Sequence, residues 1–466
     1  MTAGPSAPFV EELLSLGVGG GDRIYRDDAR ALDEWPARLK GFAGAASTSA
    51  VVVEAESAED VAAIVRWARR RGAHVQAMGS GSNVVGAVAP DADVLVSLAR
   101  LRGIVELDLE SHMVTVRAGT EGGELEDSLN ERGLTLGHYP QSLRVSSVGG
   151  WIATRATGTY SALYGGIERL LVGVEVVLPT GEIVCVGPRP RASGGMDLLA
   201  MLCGSEGSFG IVTAASFAVG RLLPERRVCA AFPSLAGGVA AQRELVHAGV
   251  PLGLVRLYNA SESRIVSQPG SLREGDCLLV ATTRVAEALL DVAEATVGGI
   301  LTSAGGRALD PSAADPWFAR RYAGHRFMAE RNSGDGVAFD TIEVGLPWRS
   351  AAACAGELER VLAPVSDPVH LHFSHVYPTG VCLYAMIHIS APSDAAVRDL
   401  WGTAWSSTLD TVARHGGTLA HHHGIGAARA TRYRRTPEGR LHALVASALD
   451  PDGVLVAPLL SGGSGD

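Results

Sequence analysis

Lysine is nearly missing from this 466-residue chain: Lys40 is the one lysine among 40 basic residues. Schiff-base chemistry, pyridoxal phosphate anchoring and a Walker-type phosphate loop each need a lysine in a particular loop. The stretch "WPARLKGFAG" around Lys40 supplies none of those settings. Paired cysteines are missing too. Cys185, Cys203, Cys229, Cys277, Cys354 and Cys382 are scattered with no C-x-x-C, which argues against zinc and disulfide frameworks and for buried, reduced thiols. No apolar run approaches the ~20 residues of a membrane span. The start, "MTAGPSAPFVEELLSLG", lacks the basic and apolar regions of a secretory signal, so a cytoplasmic location is expected. Positive charge is in deficit as well. A net charge of −10 excludes a general nucleic-acid binder, which needs basic surface.

The chain has enough length for two or three domains, and 47% hydrophobic against 19% charged residues gives each a real core. Residues 1–45 read as a loosely helical arm. A strand, "SAVVVEAES", then leads into a helix that Ser57 caps and Asp60 supports. Val61, Ile64, Val65 and Ala68 form its apolar face, and Gly72 ends it. "AHVQAM" completes a β-α-β start. Up to about residue 222, short β-rich runs alternate with glycine-rich turns, with one amphipathic helix over Glu121–Arg132 and a hairpin turn at Pro179-Thr180-Gly181. After "RLLPERR" the texture changes. Alanine-rich helices alternate with strands such as "PLGLVRLYN", "DCLLVATTRV", "PVHLHFSHVY" and "GVCLYAMIHIS", so residues 223–425 are expected to form a second α+β domain. The rest, 426–466, ends in a polar, glycine-rich tail of disordered character.

Three loops have the composition of a dinucleotide cradle. "GSGSNVVG" (79–86) follows a strand, and its amides can converge on a phosphate. "YPQSLRVSSVGGWIATRATGTYSALYGGIERLLVGVEVV" (139–177) is dense in hydroxyls around Gly149-Gly150, and "GSEGSFGIVT" (204–213) repeats the mixture before a strand. None opens a helix with G-x-G-x-x-G, so a nicotinamide Rossmann site is not supported.

"GTLAHHHGIGAARA" places His421, His422 and His423 side by side. Metal binding, proton transfer or plain composition would each explain them. In a strand or a helix, consecutive side chains diverge, so one metal takes two of them at most. Histidine titrates near neutrality, which suits proton transfer and anion contact. Arg256 interrupts the apolar run "GLVRLYN"; a buried guanidinium needs an anionic partner from the protein or a substrate. Tyr384, in "GVCLYAMI", reads either as core or as an acid–base group.

The order of the G-S-G-S-N loop, "SVGGWIATRATG" and "GSEGSFGIVT" resembles the flavin domain of the vanillyl-alcohol oxidase/p-cresol methylhydroxylase family. "VRLYN", "SHVYPTGVCLY" and "HHHGIG" are most similar to its alkylglycerone phosphate synthase branch, and the resemblance covers about 45–460. It implies an α+β fold: a two-subdomain FAD-binding domain over 46–222, a cap domain with an antiparallel sheet over 223–425, and a C-terminal segment returning to the first domain. The implied cofactor is noncovalent FAD. It would be lined by Ala77, Met78, Gly79, Ser80, Gly81, Ser82 and Asn83; by Gln141, Ser142, Ser146, Ser147, Gly149 and Gly150; by Thr154, Arg155, Ala156 and Thr157; and by Glu206, Gly207, Gly210, Ile211 and Val212. Ser80 stands where the family often has glycine. Family members with covalent flavin use a His or Cys near the ring; here only Cys203 lies close in sequence.

The resemblance further implies catalytic roles for Tyr384, His421, His422, His423 and Arg256, and substrate binding by Arg331, with Arg326 as the alternative. The region before "LPW" is about two residues shorter than in the synthase branch. Metal-dependent hydroxy-acid dehydrogenases of the superfamily have more ligands than this chain, which keeps His375 but has Cys382 and Tyr384 for a histidine and His422 for a glutamate; no metal is expected. The implied reaction exchanges the acyl chain of acyl-dihydroxyacetone phosphate for a long-chain alcohol through a flavin N5 adduct, an ether-lipid step. An FAD-dependent oxidase or dehydrogenase of a hydroxy acid is the alternative on the same scaffold. The expected partner is a small-molecule or lipid substrate with an anionic group, and the chain allows a peripheral membrane contact and a homodimer without requiring either.

Overall fold

The structure, a computed structural model, describes residues 7–18, 24–26, 50–88 and 92–460. Lys40, most of the 1–45 arm and the tail beyond 460 lie outside the described residues, as does the side chain of Arg326. Of the arm, Ala7–Ser15 is helical. Its other described piece departs from the expectation: β1 (Ile24–Arg26) is a strand, paired antiparallel with β2 (Val51–Glu54).

The first domain contains two main sheets. In the first, β2 and β3 (Val75–Met78) both run parallel to β4 (Val94–Ser97), which lies between them. Helix Ala58–Arg71 makes the crossover. Ser57 Oγ accepts the Asp60 amide at 3.0 Å, and Gly72 closes the helix at φ 67°, as the local sequence predicts. The second sheet, in the order β5-β6-β10-β8-β9, contains β5 (Ile104–Asp108), β6 (Met113–Arg117), β8 (Leu171–Val177), β9 (Ile183–Val186) and β10 (Ile211–Ala218), while β7 (Leu134–Thr135) pairs apart with β11 (Gly220–Arg221). The predicted hairpin turn joins β8 to β9.

The cap is one antiparallel sheet in the order β15-β12-β14-β13-β17-β18-β16. Its strands are β12 (Glu225–Phe232), β13 (Leu252–Tyr258), β14 (Cys277–Arg284), β15 (Arg307–Leu309), β16 (Val337–Pro347), β17 (His370–Tyr377) and β18 (Gly380–Ser390). Strand alternation divides the residue types cleanly. On one face Leu257, Phe373, Leu383, Ala385, Ile387, Ile342 and Val344 bury against helices Leu235–His247, Trp348–Leu362 and Asp394–Arg414. Burying such a side chain contributes about 1.5–3 kcal/mol, so this face fixes the register. The other face is polar. The C-terminal segment returns to the first domain, where the Val75 amide donates to the Val454 carbonyl (2.8 Å) and His442 packs on Phe209.

Candidate active site

One cavity of about 720 Å³ lies between the three glycine-rich loops and the polar face of the cap sheet. Cross-strand pairing places Tyr258, His372, Tyr384 and Glu343 in a single row over β13, β17, β18 and β16. Steps of two residues along each strand add Arg256, His370, Met386, His388, Thr341 and Phe339 to the same face, and all six line the cavity. A bulge after Ser374 interrupts the alternation. There His375 takes a left-handed φ of 51°, turns inward, and meets Ser161 Oγ at 2.9 Å through Nδ1. That conformation is sparsely populated by non-glycine residues.

The histidine trio belongs to no helix or strand; it curls around a buried carboxylate. Glu343 Oε1 accepts the amides of His421, His422 and His423 at 3.3, 3.0 and 2.7 Å, a local anion nest. Its other oxygen is held by the guanidinium of Arg429, also fully buried. Burial alone would raise the Glu343 carboxyl, but Arg429, His423 and the loop amides outweigh it and hold the group below its ordinary range. The loop continues onto the first domain. Glu206 accepts the Ile425 amide (2.5 Å) and the Gly426 amide (3.1 Å), while Ala427 and Ala428 donate to the carbonyls of Gly86 and Val85. The trio is thereby fastened to the first and third glycine-rich loops.

His422 Nε2 lies 2.6 Å from the Tyr384 hydroxyl, and its Nδ1 lies 2.7 Å from Nδ1 of His421. His422 and His423 line the cavity. His421 stands behind them, with Nε2 2.8 Å from the Tyr377 hydroxyl. Burial depresses all three imidazoles, His421 to about 4 and His422 well below its usual value; neighbouring rings add repulsion at His421 and His422 and Arg429 adds it at His422 and His423, while Glu343 offsets part of the effect at His421 and His423. They are neutral at pH 7. Burial, then Cys382 and Glu343, push the Tyr384 phenol well up, so it too is neutral.

Arg256 is 3% exposed. Its Nε donates to the Tyr258 hydroxyl at 2.6 Å, its guanidinium lies over Tyr258 and Trp317, and no carboxylate among the described residues forms an ion pair with it. Arg331 lines the outer part of the cavity above Phe327, beside His370 and His388, whose rings pair at 3.2 Å. Arg320 and Arg321 add two more lining cations. The lining carboxylates are Glu206, engaged by loop amides, and Glu262, paired with His372 at 2.9 Å. The free charge facing the cavity is positive.

Of the residues expected to hold the cofactor, Ala77–Asn83, Gln141, Ser142, Ser146, Ser147, Gly149, Gly150, Thr154, Ala156, Thr157, Glu206, Gly207, Gly210, Ile211 and Val212 all line this cavity. Arg155 lies outside the lining. It follows helix Val148–Thr154 with φ 53°, and this left-handed step carries its side chain to the surface, 3.8 Å from Glu168. Cys203 is buried outside the lining, and Cys185 is exposed rather than buried. Ligand atoms of Cys382, His421 and His422 lie within 4.8 Å of one another, but hydrogen bonds already engage every ring nitrogen of the two histidines. Sequence reading missed Glu343, Arg429, Glu262, His370, His372, His388 and Tyr377. The alternation in "HLHFSHVY" is the one local signal that marks any of them.

A family described as "FAD binding domain" matches residues 49–187, and "FAD linked oxidases, C-terminal domain" matches 224–457. Alkyldihydroxyacetonephosphate synthase of Dictyostelium discoideum is 27% identical over 413 residues, covering 81% of this chain and 67% of that protein. An uncharacterized FAD-linked oxidoreductase of Mycobacterium tuberculosis is 27% identical over 470 residues, covering 97% of both. Among solved structures, an alkyldihydroxyacetonephosphate synthase superposes with a TM-score of 0.80 (21% identity; 97% and 85% coverage). Substrate-bound p-cresol methylhydroxylase gives 0.77 (18%; 97% and 96%). The fold is shared with both. The cavity wall also suits FAD: a Cβ on Gly79 would sit 2.1 Å from Ser147 Oγ, so the first two loops close on each other only because that side chain is missing. Hydroxyls and positive charge, with no free carboxylate, face the space that a dinucleotide would fill.

Proposed function

We propose that this chain, which belongs to the FAD-linked oxidases and is an FAD-dependent enzyme, is a synthase-like transferase that exchanges the acyl chain of an acyl-dihydroxyacetone phosphate for a long-chain alcohol. The observation that supports this reading best is the pairing, in one cavity wall, of a neutral Tyr384–His422 hydrogen bond with the buried, carboxylate-free guanidinium of Arg256. Bound noncovalently, FAD would supply N5 as the covalent anchor for the dihydroxyacetone phosphate fragment. The loops at 77–83, 141–157 and 206–212 would hold it. Tyr384 would take and return a proton at the reacting carbon or oxygen, with His422 as its partner. Arg256, with Arg331 further out, would bind the anionic group, and His423 would contact the substrate from the trio loop.

One observation favours a second reading, an FAD-linked oxidoreductase of a hydroxy acid: the Mycobacterium tuberculosis relative matches this chain end to end, whereas the Dictyostelium synthase extends well beyond it. Purified holoprotein separates the two. Acyl-dihydroxyacetone phosphate with a labelled acyl chain is mixed with hexadecanol, and label release and the flavin band are followed together. Release of labelled fatty acid with an undiminished flavin band is expected. No release, together with anaerobic bleaching by D-lactate or another 2-hydroxy acid, would replace the transferase with the oxidoreductase.

A further inference from the structure

The trio does not act as one unit, because its members have different partners. Three hydrogen bonds run in series: Tyr384 Oη to His422 Nε2 at 2.6 Å, His422 Nδ1 to His421 Nδ1 at 2.7 Å, and His421 Nε2 to Tyr377 Oη at 2.8 Å. The first member lines the cavity; His421 and Tyr377 do not, yet both retain partial exposure. Tyr377 ends β17, precedes the exposed Pro378 and Thr379, and has the hydroxyls of Thr157 and Ser161 against its own. That is the seam between the two domains. His423 lies off the series: its Nδ1 has no hydrogen-bond partner among the described residues and stands 3.8 Å from Glu343.

We propose that Tyr384, His422, His421 and Tyr377 form a single-file proton wire from the cavity to the domain seam, and that His423 stays outside it, facing the substrate. Hydrogen-bond accounting couples the two tautomers. Two neutral imidazoles that meet Nδ1 to Nδ1 need one donor and one acceptor there, so they carry opposite tautomers. With His422 donating from Nδ1, Tyr384 donates to His422 Nε2, and His421 donates from Nε2 to Tyr377. As Tyr384 takes a proton from a substrate hydroxyl or carbon acid, its own proton passes to His422 Nε2. The Nδ1 proton of His422 then passes to His421 Nδ1, the Nε2 proton of His421 passes to Tyr377, and Tyr377, partly exposed and beside the hydroxyls of Thr157 and Ser161, would release its own proton to solvent at the seam. One proton has left the substrate, no electrons have moved, and every residue is neutral again with both tautomers exchanged. A proton returning by the same route restores the start. The wire lets the reacting centre exchange protons while bound substrate fills the cavity mouth. Tyr377 is then a positioning residue, acting through His421 rather than on substrate.

This inference rests on the proton role given above to Tyr384, but its first test needs no substrate. Holoprotein labelled with ¹⁵N-histidine, with resonances assigned by His421→Gln and His422→Gln, is expected to show at pH 7 one Nδ1–H and one Nε2–H tautomer for the pair. Matching tautomers, or a charged ring at either position, would overturn the wire even if acyl exchange proceeds. In the second test, Tyr377→Phe keeps the ring and loses the relay oxygen. Its expected signature is turnover lowered by about tenfold or more and an altered solvent deuterium isotope effect, at parental FAD content and melting temperature. Turnover and isotope effect both at the parental values would also overturn it. Opposite tautomers combined with failure of acyl exchange would leave the wire standing and remove only the transferase reading.

Discussion

At the scale of single residues, the site depends on one buried ion pair. Glu343 accepts three consecutive amides and the guanidinium of Arg429, and both side chains are excluded from solvent. Removing one member of such a pair leaves an uncompensated charge in the interior, which costs about 3–5 kcal/mol. Glu343→Gln is therefore expected to lower the unfolding free energy by that amount, read as a lower urea midpoint, and to loosen the trio loop. Adding Arg429→Met should recover part of the stability but not the activity, because the amides of 421–423 then meet a neutral amide oxygen in place of a carboxylate. A midpoint unchanged in the single variant would mean that the pair contributes nothing. Neither residue was legible in the sequence. "DTIEVGLP" reads as an ordinary strand with one acid in it, and the partners of Glu343 lie 78 to 86 positions away. Arg256 was legible because a charged group inside an apolar run is conspicuous without knowledge of its neighbours; for Tyr384 the run left core and acid–base readings open, and only the resemblance pointed to the second.

Among the elements, what could be read locally came out as expected. Helix Ala58–Arg71 is bounded by residues that act within four positions of each other, Ser57 with Asp60 and Gly72 with Ala68. The glycine-rich loops were found by composition, since an amide-lined cradle needs small side chains wherever it folds. Arg155 shows the limit of local reading: the resemblance places it with the cofactor loops, and in the structure it takes a left-handed φ with its side chain at the surface. The face of the cap sheet was half legible. Alternation pairs His370 with His372, but the addition of His388 depends on the β17–β18 register, which is set by the core on the other side. The docking of the trio's own helix, Gly426–Tyr433, yields a test at this scale. Gly426 has φ 49°, and a Cβ there would lie 2.3 Å from the Val85 carbonyl oxygen. Gly426→Ala should push the helix from the first glycine-rich loop, weakening FAD retention on dilution while the far-ultraviolet dichroism stays parental. Unchanged retention would show that this contact is not needed to hold the cradle.

For the whole molecule, the question is what keeps the cap aligned with the flavin-binding domain. Glu206 gives part of the answer, since it belongs to the third loop of the first domain and accepts the amides of Ile425 and Gly426, just past the trio. Burial pushes its carboxyl up to about 7, with the two amides and Arg429 offsetting part of the effect. The sign of the resulting linkage follows. Between the ordinary value near 4.5 and about 7, the folded protein keeps a proton that the unfolded chain has lost. The contribution is thus fully present below about 4.5 and is lost as pH rises through about 7. Relative to Glu206→Gln, which has no proton to lose, the parent should lose stability between pH 5 and 7 and run parallel above that. Melting temperatures of the two proteins, measured in steps across this range, give the comparison. A difference that stays constant from pH 5 to 8 would mean that Glu206 is already ionised in the folded state, its charge fully met by the amides of the trio loop. The seam would then rest on an anion held by backbone donors, as Glu343 is, and not on a protonated acid.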